Sequence, residues 1–162
     1  LTVNKTVVVN TSPLIFLAKA GFLDFLKAAG KKILVPESVV LEIKHHSKDI
    51  ATVAIQNHKW LHEIPDLPIP FSVQAWDLGS GESAVLAYAH KSPGSLLIID
   101  DMAGRNCAIS MGFAVCGTLG LALRAKREGL ISSARKAIEE LRRHGLYLTD
   151  SVINQALAKI GE

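Results

Sequence analysis

The chain has 162 residues, 49% of them hydrophobic, with 18 Lys+Arg against 15 Asp+Glu. That length suits one domain with a sizeable core and leaves two full domains cramped, while 20% charged residues and a mean hydropathy of +0.27 exclude a disordered chain. The net charge of +3 is modest but uneven: residues 1–100 carry nine Lys, no Arg and nine acids, whereas residues 101–162 carry six Arg, three Lys and six acids.

In chain order, Val7-Val8-Val9 is a β-branched run that stops at the turn signal Asn10-Thr11-Ser12-Pro13. Ser12 is expected as N-cap and Pro13 as first helical residue, with Leu14, Leu17 and Ala18 on the apolar face and Gly21 ending the helix. Phe22, Leu23, Phe25 and Leu26 predict a second short helix closed by Gly30. Ile33-Leu34-Val35 reads as a buried strand, and Pro36 opens a helix with Val39, Val40 and Ile43 inward. Residues 48–62 read as helix and then a short edge, and the three prolines of residues 64–71 as an extended connector. Gly79-Ser80-Gly81 is a turn, followed by a helix from Glu82 to about Lys91. Leu96 to Ile99 is a fully apolar strand closed by Asp100-Asp101, which start a helix. Phe113 to Cys116 reads as a fourth strand, and helices are expected near 118–128, 132–144 and 150–160. Short apolar strands alternating with helices predict an α/β domain with a mostly parallel sheet.

Cys107 and Cys116 form no CxxC pair, so reduced thiols in a cytoplasmic protein are expected rather than a disulfide or zinc scaffold. No charged segment leads into an apolar one as in a secretory signal. The uncharged run from Asn106 to Leu123 is broken by Gly and polar residues, and reads as buried helix–strand–helix instead of a membrane span.

In open parallel sheets, ligands bind beyond the carboxyl ends of the strands. Asn10 and Asp100-Asp101 end strands, and Glu82 lies in the first turn of its helix. Acids gathered at such a rim repel one another unless a divalent cation is present, and Mg²⁺ and Mn²⁺ take oxygen ligands of this kind. Each residue also has a plain structural reading. The helix dipole favours Glu82, His46 is spaced i,i+4 from Glu42, Asp100-Asp101 suits an N-cap, and Asn10 suits a turn. Their joint occurrence at strand ends and helix starts is what points to chemistry.

The stretches VVVNTSPLIFLAKAG, VPESVVLEI, GSGESAVLAYA and LLIIDDMAGRNCAISMGFAVCGTLG, then LRAKREGLI and LTDSVINQALAKIGE, carry a family likeness across nearly the whole chain. The chain resembles the PIN-domain family, in the VapC-like branch with an extended helical C-terminus. The resemblance implies a three-layer α/β/α fold in one domain, residues 1–162, with a central sheet of about four to five strands and residues 118–162 as a helical extension. It implies a metal-dependent ribonuclease, the toxin of a toxin–antitoxin pair, with RNA as substrate, a small antitoxin protein as partner, and a homodimer. The family's four acids map onto Asn10, Glu42, Glu82 and Asp100. Glu42, Glu82 and Asp100, assisted by Asp101, would hold Mg²⁺ or Mn²⁺ to activate water. Thr11 and Ser12 would orient the site or the scissile phosphate.

Asn10 departs from the family's usual Asp. Its amide oxygen can ligate a hard cation but brings no charge, and a unit charge at about 4 Å is worth roughly 4 kcal/mol at an effective dielectric near 20. The competing expectation is therefore a catalytically weak or silent PIN domain that acts as a nucleic-acid- or protein-binding module.

Eight cations between Arg105 and Arg143 fit a nucleic-acid substrate, with Arg105 foremost because it adjoins the acidic rim. Against this, Arg135–Glu139 and Lys136–Glu140 have the spacing of an ordinary solvated helix. Trp60, Trp76, Tyr88 and Tyr147 could stack on bases, although core or interface use is the simpler expectation. His58 and His62 have zinc spacing without the Glu of HExxH, and no GxSxG, GxxxxGK[ST] or GxGxxG occurs.

Overall fold

The computed structural model describes residues 4–46 and 50–162. Positions 48 and 49, the start of the expected 48–62 helix, lie outside the described residues. The elements are β1 (Thr6–Val9), α1 (Thr11–Ala20), α2 (Phe25–Ala29), β2 (Lys32–Pro36), α3 (Glu37–His46), α4 (Ile50–Asn57), β3 (Leu61–Ile64), α5 (Phe71–Gln74), α6 (Ser80–Lys91), β4 (Leu96–Ile98), α7 (Met102–Ser110), β5 (Ala114–Cys116), α8 (Thr118–Arg127), α9 (Ala134–Arg143) and α10 (Asp150–Ala158).

The five strands form one sheet in the order β3-β2-β1-β4-β5, every pairing parallel. Val7, Val8 and Val9 are all fully buried. Successive strand residues point to opposite faces, so burial of all three requires cover on both sides of the sheet. Helices supply it: α6 packs on β1, β2 and β4, while α1 and α2 pack against α8, and α1 and α8 against α9. This is the expected α/β architecture, with the sheet flanked by helices. No helix among the described residues is long and apolar enough to cross a membrane.

Four local expectations change. Asn10, not Ser12, is the N-cap of α1, with extended backbone (φ −83°, ψ 171°) and no capping bond from its side chain. Pro13 is tolerated because the first-turn N–H groups have no intrahelical acceptor. Helix α6 starts at Ser80, not Glu82, and Gly79 is its cap. The short edge near residue 62 is a strand, β3, which makes the Ala114–Cys116 strand the fifth. The short helix α5 follows the proline-rich connector, where no periodicity signalled it.

Candidate active site

Strand β1 lies between β2, which follows it in sequence, and β4, which comes much later. The chain therefore leaves β1 in opposite directions on its two sides, and a crevice opens where the strand order reverses. Asn10 stands directly after β1, its backbone N–H bonded to the Ile98 carbonyl at 3.0 Å. Asp100 follows β4 by two residues.

Asn10 is 1% exposed, and its Nδ2 donates to Glu82 Oε1 at 2.7 Å. That bond fixes the amide, because the flipped rotamer would set oxygen against carboxylate. Asn10 Oδ1 is then the one buried side-chain oxygen or nitrogen among the described residues with no hydrogen-bond partner. Leaving such an acceptor unpaired costs about 1–3 kcal/mol.

Glu42 comes to the same place from α3. It accepts from the Thr11 hydroxyl, from Ser80 Oγ at 2.9 Å and from the Gly81 backbone N–H at 2.8 Å. Its carboxylate is thus engaged by α1 and α6 rather than by His46, which is exposed. Gly81 is what leaves space there. A β-carbon on it would stand 2.7 Å from Glu42 Oε2 and 3.0 Å from Asn10 Oδ1. Two acceptor oxygens therefore border one small gap.

Asp100 has a different set of contacts. Oδ1 accepts from the Thr118 N–H at 2.7 Å and Oδ2 from the Thr118 hydroxyl at 2.6 Å. Burial pushes its carboxyl above the usual aspartate value, opposed by the two Thr118 bonds and the nearby Arg105 guanidinium. Arg105 Nη1 reaches the Ile99 carbonyl at 3.4 Å. Both side chains crowd Gly117, whose absent β-carbon would lie 2.6 Å from Arg105 Nη1 and 2.9 Å from Asp100 Oδ1. Asp101 does not join them: it caps α7 by accepting from the Gly104 N–H at 2.9 Å.

The structure thus brings Asn10, Thr11, Glu42 and Glu82 together, and sets Asp100 on Thr118 with the Arg105 guanidinium nearby. Ser12 is exposed. Among the described residues, no three His, Cys, Asp or Glu side chains group as a ready metal site. What stands between Glu42 and Glu82 is the amide of Asn10. The sequence reading missed Ser80, Gly81, Gly117 and Thr118, whose only signal was their placement in the small-residue runs GSGES and CGTLG.

The basic stretch behaves mostly as an ordinary surface. Lys126 meets Glu162, Arg142 meets Asp150, and Arg143 meets Glu140. Arg135 bonds Asn154, and Glu140 also meets His144, so the expected Arg135–Glu139 and Lys136–Glu140 pairs are replaced by other partners. Trp60 lies under the Lys27 ammonium and edge-on to His58, while Tyr147 is exposed, contrary to a core role. Both cysteines are free, with their thiols pushed up by burial.

Asn10 Oδ1, Glu42 and Glu82 offer oxygen donors only, and the orphaned amide oxygen faces the gap beside Glu42. This donor set fits a hard divalent cation.

A family model described as a PIN domain matches residues 6–162. A solved structure described as the PIN domain endonuclease Utp24 is similar at a TM-score of 0.51 and 11% identity, covering 69% of this chain and 84% of that one. At that identity the likeness concerns the fold. No curated protein matches the chain.

Proposed function

Because the chain belongs to the PIN-domain family, a class of nucleases, we propose that it is a divalent-metal-dependent endoribonuclease acting on single-stranded RNA. The observation that carries the reading is the buried Asn10 Oδ1, left without a partner beside Glu42 at the reversal point of the sheet. Asn10, Glu42, Glu82 and Asp100 would hold Mg²⁺ or Mn²⁺. When bound, such an ion lowers the pKa of water and stabilises charge on phosphoryl oxygens. The chain's own residues prepare the site. Thr11, Ser80 and the Gly81 N–H fix Glu42, and the Asn10 amide fixes Glu82. Thr118 holds both oxygens of Asp100, and Arg105 offers a guanidinium to a phosphate approaching that carboxylate. We extend the proposal to the toxin of a VapC-like toxin–antitoxin pair, with a small antitoxin covering this rim.

One observation favours a second reading. Asn10 already gives Glu82 a hydrogen bond and adds no charge, so the site is partly satisfied without a cation. A silent PIN domain that binds nucleic acid would look the same here. Cleavage of a labelled single-stranded RNA pool in Mg²⁺, Mn²⁺ or EDTA separates the two. The nuclease reading expects metal-dependent products, and a loss of roughly a hundredfold or more in Glu82→Gln and Asp100→Ala, the scale of removing one preorganised charge. Binding without cleavage in any metal would support the silent module. Equal cleavage by Asp100→Ala would place the activity elsewhere.

A further inference from the structure

Beside Asp100 opens a groove of about 590 Å³ between the start of α7, helices α8 and α10, and the 144–149 loop. Leu119 and Leu123 line it with apolar surface, and Arg105 and Lys159 line it with cations. Three further lining residues are apolar yet exposed: Tyr147 at 88%, Met102 at 68% and Val152 at 43%. Single exposed apolar side chains need no explanation, but three around one groove mark a binding surface. Asp100 is the groove's one acid, against two cations.

We propose that this groove seats the single-stranded RNA nucleotide next to the bond being cut, with its base against the Tyr147 ring and its phosphate drawn by Arg105 and Lys159. The inference rests on the nuclease reading above. A nucleotide combines a flat, apolar-faced base with an anionic phosphate, which is the mixture the groove presents. Aromatic rings take any base by stacking, and cations track the backbone. The groove is continuous with the candidate site through Asp100 and Arg105, so a strand lying in it is led to the acidic rim. Arg142 and Arg143 on α9, by contrast, are engaged by Asp150 and Glu140. Tyr147 and Lys159 are thus positioning residues, not groups that act on the phosphorus.

The test uses the full chain and a short fluorescein-labelled single-stranded RNA of mixed sequence. Anisotropy is read in EDTA across a salt series, and cleavage in Mn²⁺. Tyr147→Ala is expected to weaken binding about tenfold and to raise KM with kcat nearly unchanged, while Tyr147→Phe stays near wild type because the ring is retained. Lys159→Glu is expected to weaken binding and to lower the steepness of the salt dependence by about one. If the wild type cleaves RNA and Tyr147→Ala and Lys159→Glu both bind and cleave as it does, the groove is not the RNA path, and the nuclease reading survives. If the wild type neither binds nor cleaves, the nuclease reading fails and takes this proposal with it. If Tyr147→Ala instead dissolves a dimer while RNA affinity stays constant, the groove seats a second copy of the chain and the proposal is overturned.

Discussion

The side-chain amide of Asn10 donates to Glu82 Oε1 across 2.7 Å, while its oxygen, buried and unbonded, faces the gap left by Gly81 beside Glu42. One neutral side chain thus does two opposite things at the end of β1. Its N–H₂ satisfies one acid, and its oxygen leaves an acceptor waiting beside another.

Asn10→Asp removes the donor and sets a second carboxylate against Glu82. Loss of a hydrogen bond to a charged group costs roughly 1.5–3 kcal/mol, and the repulsion adds to it. In EDTA at neutral pH the variant should melt roughly 5–10 °C below wild type, taking about 2–4 °C per kcal/mol for a chain of this size. Mn²⁺ should restore more of its melting temperature than it adds to wild type, and cleavage should rise. Calorimetry with and without Mn²⁺ reads both effects. Equal metal-induced shifts in the two proteins would mean that no ion lies near position 10.

Gly81→Ala puts a methyl group 2.7 Å from Glu42 Oε2 and 3.0 Å from Asn10 Oδ1. Glu42 is held by three donors and cannot swing away cheaply. Overpacking of this kind costs about 1–3 kcal/mol. The expected signature is a folded protein whose Mn²⁺-dependent thermal shift and cleavage are both lost. A retained shift would place the ion away from this gap.

Glu162 caps α9 from the far end of the sequence. It accepts from the Ala134 N–H at 2.9 Å, the Arg135 N–H at 3.0 Å and Ser133 Oγ at 3.1 Å, with Lys126 Nζ at 3.4 Å. The backbone donors hold its carboxyl down to about 2, from an ordinary 4.5. A depressed carboxyl stabilises the fold above its unfolded value and loses that contribution as pH falls through the folded one. Wild type should therefore lose stability between about pH 4.5 and 2 on this account. Glu162→Gln should melt lower at pH 7 and converge with wild type near pH 2. Parallel melting curves across that window would remove the cap from the account.

Arg142 and Arg143 are engaged on the surface by Asp150 and Glu140. Exposed pairs contribute about 0–1 kcal/mol. Arg142→Ala/Arg143→Ala should leave stability nearly unchanged and RNA affinity within about twofold of wild type, with the same salt dependence. A flatter salt dependence would bring this helix into the RNA interface.

The sequence by itself determined the layers of this protein. Val7 to Val9, Ile33 to Val35 and Leu96 to Ile98 are apolar without alternation, which only a sheet covered on both faces tolerates, and the helices between them follow from their spacing. Asn10 and Asp100 stood out as candidates because both sit at strand ends, a local property. The contacts that join them did not. The Gly81 N–H finds Glu42 from 39 residues away, and Asp100 is held by Thr118, a partner 18 residues on. Neither Gly81 nor Thr118 differs in type from a loop residue. Only the parallel packing of β4 against β5, with α3 and α6 side by side, brings those donors to the acids. Periodicity encodes which face is buried, but a hydrogen bond between distant segments has no local pattern, and here those bonds decide which oxygens are left to bind.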